Sequence, residues 1–183
     1  MNTRDYDLIQ SIAQGDEDAF NELVSRYKDK VFSIIYRYLG CCPDAEDLAQ
    51  EVFIKIWRHA GGFKGKSALS TWVYKIVANH CLNYRMKAKR HRLSPLDEGI
   101  PDHKECHEEE YIRKKTAGIL LEALNSLPPR QRVAIILSRF DDCSYKEISE
   151  ILDVSLATVE SLLFRARENL RKKLAPMRNK GEI

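Results

Sequence analysis

Basic and aromatic side chains are interleaved between residues 61 and 93. This stretch contains eight Lys or Arg residues and no Asp or Glu. Lysines hold phosphates, aromatic rings stack on unpaired bases, and an asparagine amide can hydrogen-bond a base edge. The pattern is typical of a surface for single-stranded nucleic acid. The residues that could form this surface are Lys64, Lys66, Trp72, Lys75, Asn79, Asn83, Arg85 and Lys87.

A structural interpretation of the same stretch stays open. Its polar residues spaced four apart are Thr71, Lys75, Asn79, Asn83 and Lys87. On a helix, residues with this spacing follow one slowly rotating face. A solvated lysine face above a core containing Trp72 and Tyr84 explains the spacing without any ligand. The lysines alone favour that interpretation, Trp72 fits either one, and Tyr84 is expected to point inward.

A short helix, a tight turn and a longer helix are predicted near the C-terminus. The segment 145–152 is mostly apolar on one side, and Ser155 can cap a following helix that runs through residue 167. This is the size and polarity of a helix-turn-helix, whose second helix enters the DNA major groove. An ordinary helical hairpin is the alternative. The exposed residues that could contact DNA are Thr158, Ser161, Arg165 and Arg167.

An acidic helix is predicted after residue 44. Its spacing places Asp47, Gln50 and Glu51 on one face, where they could bind a partner. Acids near a helix N-terminus are also favourable simply because of the helix dipole. The segment alone therefore does not support a partner.

Catalytic and metal-binding interpretations have little support. His103, Cys106 and His107 lie close together, but they lack a second ligand pair at suitable spacing. The chain has no phosphate-binding glycine loop, no nucleophile elbow and no HExxH motif. We expect neither an enzyme nor a protein with a metal or other cofactor.

The composition indicates a soluble, intracellular chain. The 183 residues are 44% hydrophobic with a net charge of +3, which excludes a disordered chain. No apolar run approaches the roughly 20 residues that span a bilayer, and the first ten residues include charged side chains where a signal peptide would have an apolar core. Five Cys without framework spacing indicate reduced thiols. We expect a cytoplasmic protein without direct membrane insertion.

Helical periodicity recurs along most of the chain and predicts an all-α fold. It vanishes where Pro, Gly and seven acids cluster. We therefore expect two small helical domains, 1–93 and 111–183, joined by an acidic flexible linker at 94–110. Local signals predict some helix ends: Asp16 and Gly40 bound a long helix, and Ser144 with Glu147 forms a capping box.

Taken in order, these segments resemble an extracytoplasmic-function (group 4) sigma factor of the sigma-70 class. Residues 19–40 look like region 2.1, and DAEDLAQEVFIKIW (44–57) looks like region 2.2. FKGKSALSTWVYKIVANHCLNYRMK (63–87) is similar to regions 2.3 and 2.4, and residues 124–174 resemble region 4. Each match is moderately specific, whereas their order along the chain is highly specific.

The resemblance implies a detachable specificity subunit of bacterial RNA polymerase. The first domain would dock on the clamp helices of the beta-prime subunit through Asp47, Gln50 and Glu51. Its basic segment would melt the minus-10 element and hold one strand, and the acidic linker would follow the RNA-exit path. The second domain would bind the beta flap and read the minus-35 element of promoter DNA. Family members are commonly held inactive by an anti-sigma factor anchored in the membrane.

One departure from the family pattern concerns the predicted recognition helix. Many members carry basic residues where this chain has Glu160 and Leu162. A glutamate can accept from a cytosine amino group but cannot donate to guanine or pair with phosphate. We therefore expect an unusual minus-35 preference.

Two other classes of protein compete with this interpretation. A stand-alone helix-turn-helix regulator would need a dimerisation surface and tight duplex binding by itself. A helix-binding interaction module would leave the acid-free basic stretch without a purpose. The sigma factor interpretation accounts for more of the contact types.

Overall fold

The computed structural model describes residues 3–40, 45–91 and 108–179. Within these ranges every regular element is helical, which confirms the predicted all-α class. A 3₁₀ turn at Ala60–Gly62 follows the third helix. The helices are α1 (Thr3–Ala13), α2 (Glu17–Leu39), α3 (Ala45–His59), α4 (Leu69–His91), α5 (Glu108–Asn125), α6 (Pro129–Phe140), α7 (Tyr145–Leu152) and α8 (Leu156–Asn179).

The predicted ends of α2 are confirmed. The Asp16 carboxylate accepts a hydrogen bond from the Ala19 backbone N–H at 3.0 Å, which satisfies one of the free donors of the first turn. Gly40 ends the helix with φ +83°, a conformation that favours glycine. One face of α2 is buried along its whole length, which makes this helix the centre of the N-terminal half.

Helices α1–α4 form lobe A. The short helix α1 crosses α2 and is tied to it at the surface by Asp5 and Arg26, whose Oδ1 and Nη1 atoms lie 2.6 Å apart. Helices α3 and α4 cover the rest of α2. The buried apolar residues of these two helices are Ala45, Leu48, Val52, Ile56, Leu69, Val73, Tyr74, Val77, Ala78 and Cys81.

Helices α5–α8 form lobe B. Helix α5 begins at Glu108, three residues inside the predicted linker, where acids are favourable at a helix N-terminus. Helix α6 is buried over Gln131–Leu137 and is the core of this lobe. Helices α7 and α8 pack across it through Ile148 and Ile151 of α7 and Val159, Leu163 and Ala166 of α8.

The two lobes touch, which the sequence did not predict. Their buried apolar residues form one continuous cluster. Helix α7 packs on α4, and the α5 and α6 helices contact α2. The Arg132 side chain of α6 is completely buried, and its Nη1 donates to the Tyr38 carbonyl oxygen of α2 at 2.7 Å.

Two of the five cysteines fall within the described ranges. Cys81 and Cys143 are free and buried, and burial raises the pKa of each thiol to about 12. Both are therefore protonated and unreactive at neutral pH. Cys41, Cys42 and Cys106 lie outside the described residues. None of the helices described is both long and apolar enough to cross a bilayer.

Candidate nucleic-acid and polymerase interfaces

The predicted capping box at the start of α7 is formed in both directions. The Ser144 hydroxyl accepts from the Glu147 backbone N–H at 3.2 Å. In return, Glu147 Oε2 accepts from the Ser144 backbone N–H at 2.8 Å. Together these bonds satisfy two donors that the first helical turn leaves free. They fix the start of the first helix of the helix-turn-helix.

The turn between α7 and α8 is tight and well bonded. Asp153 has φ +54°, and the Val154 backbone N–H donates to the Ser149 carbonyl at 3.1 Å. The Ser149 hydroxyl donates to the Val154 carbonyl at 2.8 Å. Ser155 then caps α8, because its hydroxyl accepts from the Thr158 backbone N–H at 3.2 Å. These bonds orient α8 against α7 as a helix-turn-helix requires.

The structure brings three of the four predicted minus-35 residues onto one stripe of α8. Thr158, Ser161 and Arg165 are exposed and follow the helical repeat, opposite the buried residues Val159 and Leu163. We call these three the recognition stripe. It presents two hydroxyls and one guanidinium to solvent.

Arg167 lies elsewhere on the same helix. It is nine residues after Thr158, about two and a half turns, and so sits on the opposite side of α8. Its Nη2 donates to the hydroxyl of Tyr145 in α7 at 3.3 Å. Arg167 is exposed and can reach a phosphate beside the helix, but it does not extend the recognition stripe.

Of the two residues that depart from the family pattern in the recognition helix, Glu160 and Leu162, only one is exposed. Leu162 is half-buried and packs against the core, so it does not face a ligand. Glu160 is exposed. It lies two residues after Thr158, about 200° around the helix, and so sits outside the recognition stripe.

Sequence reasoning missed Phe164. Its side chain is 67% exposed, the largest exposure among the large hydrophobic residues described. The helical spacing could have indicated this exposure, because Phe164 falls outside the buried repeat formed by Val159, Leu163 and Ala166. An exposed aromatic ring next to the recognition stripe is suited to contact a thymine methyl group.

Four of the predicted strand-binding residues meet around one cavity in lobe A. It has a volume of about 370 Å³ and lies between α3 and α4. We call it the strand groove. Its lining includes Trp72, Lys75, Asn79 and Asn83, together with Lys55 and two histidines that the sequence analysis did not select, His59 and His80.

Trp72 contributes to both the groove and the core. Its ring is half-buried and packs on Phe63 with the ring centroids 5.4 Å apart. One side of the indole therefore supports the core, and its groove side is available for stacking. Tyr84 is half-buried against the core, as expected. The packing interpretation of Trp72 is therefore confirmed, and the stacking interpretation stays a prediction.

The predicted polar face of α4 is wrong at its first member. Thr71 is only 4% exposed, whereas Asn79 and Asn83 are exposed. A four-residue spacing drifts by about 40° at each step along an α-helix, so five such positions cannot share one face. Lys64 and Lys66 are exposed in the loop before α4. The side chains of Arg85 and Lys87 lie outside the described residues.

A buried histidine connects the groove to α3. The Lys55 Nζ atom lies 2.6 Å from Nδ1 of His80, and Nε2 of His80 lies 3.0 Å from Glu51 Oε2. An ammonium donates only, so Nδ1 accepts and the ring proton sits on Nε2, facing the carboxylate.

The predicted docking residues are all exposed on one face of α3. Asp47 and Gln50 are a turn apart, and Glu51 follows. We call these three the docking face. Ile54, 49% exposed, lies on the same face one turn further along. It was missed by sequence reasoning, although it falls outside the buried repeat of Leu48, Val52 and Ile56. An apolar side chain within an acidic face is typical of a protein-binding surface.

Comparison with known proteins decides the family. The family model described as Sigma-70 region 2 matches residues 23–91, and the one described as Sigma-70, region 4 matches residues 117–170. The ECF RNA polymerase sigma-E factor of Haemophilus influenzae is 34% identical over 94% of this chain and 96% of its own length. The chain belongs to the ECF RNA polymerase sigma factors. It is accordingly a transcription initiation factor and not an enzyme, and the stand-alone regulator is disfavoured.

Other sigma factors agree with this assignment. The sigma-E factor of Escherichia coli K12 is 36% identical over 93% of this chain and 94% of its own. The sigma-H factor of Pseudomonas aeruginosa is 32% identical over 95% of each chain.

Two solved structures share the fold of this sigma factor. CnrH, solved with the cytosolic domain of CnrY, is 22% identical, with a TM-score of 0.70 over 94% of this chain and 97% of its own. RpoE of Bartonella quintana, solved with the anti-sigma factor NepR, is 24% identical, with a TM-score of 0.64 over 85% of this chain and 96% of its own. Both span the two lobes rather than one.

Proposed function

We propose that this sigma factor recruits core RNA polymerase to promoters through three surfaces. The strand groove holds the opened minus-10 strand, α8 reads the minus-35 duplex, and the docking face binds the beta-prime clamp helices. The meeting of Trp72, Lys75, Asn79 and Asn83 around one cavity carries this proposal. The proposal keeps the expected division of the chain into domains 1–93 and 111–183 joined through 94–110.

The strand groove suits an unpaired strand better than a duplex. A half-buried indole offers a stacking platform, and two exposed asparagine amides can hydrogen-bond base edges. Lys75 at its rim, with Lys64 and Lys66 in the preceding loop, supplies positive charge for the backbone phosphates. Stacking requires a base to leave the helix, so this surface acts once the promoter is melted.

The α8 helix suits duplex DNA. The recognition stripe begins at a capped N-terminus and presents short polar side chains that reach base edges, with Arg165 placed to contact phosphate. Phe164 lies beside the stripe, whereas Arg167 lies on the opposite side of α8. Glu160, which also lies off the stripe, can accept a hydrogen bond from a cytosine amino group but cannot donate to guanine.

The docking face supplies the link to the polymerase. It combines exposed carboxylates with the apolar Ile54, so it offers both charge steering and a desolvated centre. The beta flap is the partner we assign to lobe B. An anti-sigma factor, commonly membrane-anchored in this family, completes the set of partners, and the sigma factor itself works in the cytoplasm.

Promoter binding by this protein depends on the polymerase. Two modest basic surfaces bind weakly when separate, and attachment to one polymerase raises their effective concentration on DNA. Gel-shift assays with and without core enzyme test this, followed by transcription from a genomic library and sequencing of transcript starts. We expect specific, melted complexes only with core. Nanomolar, sequence-specific duplex binding by the protein alone contradicts the proposal.

A further inference from the structure

Arg132 connects the two lobes through a fully buried guanidinium. Its Nη1 lies 2.7 Å from the Tyr38 carbonyl oxygen and 2.7 Å from Asn125 Oδ1. Nη2 donates to the main-chain oxygens of Asn125 and Leu127. A buried cation is tolerated only when such bonds replace its lost hydration. One of these acceptors belongs to lobe A, 94 residues away in sequence.

The main chain of lobe A also approaches a side chain of lobe B closely at Gly40. A Cβ atom at this position would lie 2.6 Å from Asn125 Nδ2, closer than real side chains allow. A larger residue at position 40 would therefore displace the Asn125 amide, which also accepts from Arg132. The α2 terminus and the Arg132 hydrogen bonds thus share one close contact between the lobes.

A third contact lies at the edge of the interface. The Arg37 guanidinium carbon of α2 is 4.4 Å from the ring centroid of Phe140 in α6. A cation at this distance from an aromatic face is attracted to it. Phe140 is 40% exposed, so this contact can be removed without opening the core of lobe B.

The lobe interface borders the loop that precedes α4. A cavity of about 460 Å³ separates this loop from α7, and Lys66 lines it on one side. Lys146, Glu147 and Glu150 of α7 line it on the other. A loop assigned to DNA phosphates thus faces two carboxylates and one ammonium, a side of the cavity with net negative charge that disfavours a nucleic-acid strand.

The spacing of promoter elements is incompatible with touching lobes. The minus-10 and minus-35 elements are about 25 base pairs apart, or about 85 Å at 3.4 Å per base pair. In this structure α7, the first helix of the helix-turn-helix, packs on α4, which carries the strand groove. Engaging both elements at once requires the lobes to separate.

We propose that Arg132, Tyr38, Asn125 and Gly40, together with the edge contact between Arg37 and Phe140, form an autoinhibitory latch that holds the free sigma factor closed. The closed arrangement keeps α7 beside the loop that carries Lys64 and Lys66 and prevents simultaneous contact with both promoter elements, so polymerase binding must open it. The functional part of this inference rests on the proposed function, whereas the closed arrangement does not.

Small-angle scattering of the full-length protein tests the closed arrangement. For 183 residues a single compact body has a radius of gyration of about 16 Å. We expect a value near this for the wild type and a rise above about 20 Å for the double variant Arg37→Glu/Phe140→Ala. Arg132→Lys, which keeps the charge but loses the forked geometry, should also expand the chain. Arg139→Glu, exposed on the same helix, is the matched control and should not.

A second measurement tests the inhibition. Binding of a single-stranded minus-10 oligonucleotide to the free protein should tighten about tenfold in the double variant, with circular dichroism confirming unchanged helix content. An expanded wild type, or a double variant that stays compact, overturns the latch. Expansion without tighter oligonucleotide binding overturns its inhibitory role. Failure of the wild type to support transcription with core counts against the proposed function alone, because scattering does not depend on it.

Discussion

The Lys55 ammonium lies 2.6 Å from Nδ1 of His80, and the opposite ring nitrogen faces Glu51. One buried imidazole therefore touches both a residue of the docking face and the wall of the strand groove. The two surfaces are not independent, since a change at Glu51 also alters the packing of α3 on α4. Substitutions of Asp47 and Glu51 should therefore differ in their effect on stability, although the sequence alone gives no reason to distinguish the two residues.

Charge reversal at Asp47 should weaken polymerase binding without affecting stability. Asp47 is exposed, and rim charges act mainly on association and salt dependence. Glu51→Lys should weaken binding too, but it also loses the His80 pair, which at this exposure stabilises by no more than about 1 kcal/mol. Pull-down of core enzyme beside thermal melting measures both effects. If Asp47→Lys is pulled down as well as the wild type, the acids of the docking face only stabilise the helix dipole and do not bind the polymerase.

Phe164→Ala should reduce binding to minus-35 duplex while leaving stability within about 0.5 kcal/mol of the wild type. The ring is 67% exposed, so its removal creates no cavity. The neighbouring Leu163→Ala is the control, because Leu163 is completely buried and its truncation should cost about 2–5 kcal/mol. Urea unfolding and promoter binding by the holoenzyme distinguish them. A large stability loss for Phe164→Ala means that the ring packs inward.

Substitutions of Trp72 and Arg165 should impair different steps of transcription initiation. Stacking on an aromatic ring is worth about 1–3 kcal/mol per base, so Trp72→Ala should slow promoter opening. A pre-melted bubble template should restore part of that loss, and Asn79→Ala and Asn83→Ala should change base preference near minus 10. Arg165→Ala should weaken the closed complex on both templates.

Transcription from matched duplex and bubble templates decides this assignment. Bubble rescue of Arg165→Ala shows that the two surfaces have been exchanged. The assignment is also wrong if Trp72→Ala loses the same amount of transcription on both templates while the asparagine variants keep the wild-type base preference. Because Trp72 also packs on Phe63, its variant is compared with Trp72→Phe, which retains a ring.

Asp141 should make stability depend on pH. Burial raises the pKa of its carboxyl to about 6, against the opposing charges of Arg37 and Lys30 from α2, with Asp142 adding to the rise. The native state therefore holds this proton more tightly than the unfolded chain does. Its stabilising contribution is complete below about pH 4 and is lost as pH rises through 6.

Melting temperatures of Asp141→Asn and wild type across this range test the assignment. The variant should be more stable than wild type at pH 7.5, and the difference should shrink towards pH 4. Asp142→Asn, at an exposed neighbouring position, is the control and should show a much weaker trend, because Asp142 makes the smallest of the named contributions to the Asp141 pKa. A difference that is constant with pH contradicts the assignment.

Local features were predictable and long-range ones were not. The Asp16 cap and the Ser144 capping box depend on residues three positions apart, so the sequence contains all the information they need. The burial of Arg132 depends on a carbonyl 94 residues earlier, which no spacing rule reports. The positions of Thr71 and Phe164 could be predicted only in part. Helical geometry indicates that each residue lies on a different face from the residues it was compared with. Only the packing of the folded chain decides that Thr71 is buried and Phe164 is exposed.

The hydrogen bond from Arg132 to Tyr38 has a thermodynamic consequence for polymerase binding. If only the open chain binds core enzyme, the apparent dissociation constant equals the intrinsic one divided by the open fraction. A chain that is open about one per cent of the time then binds about a hundredfold more weakly than its docking face allows. A ligand that prefers either arrangement shifts promoter output without touching DNA, simply by changing how much of the protein is available.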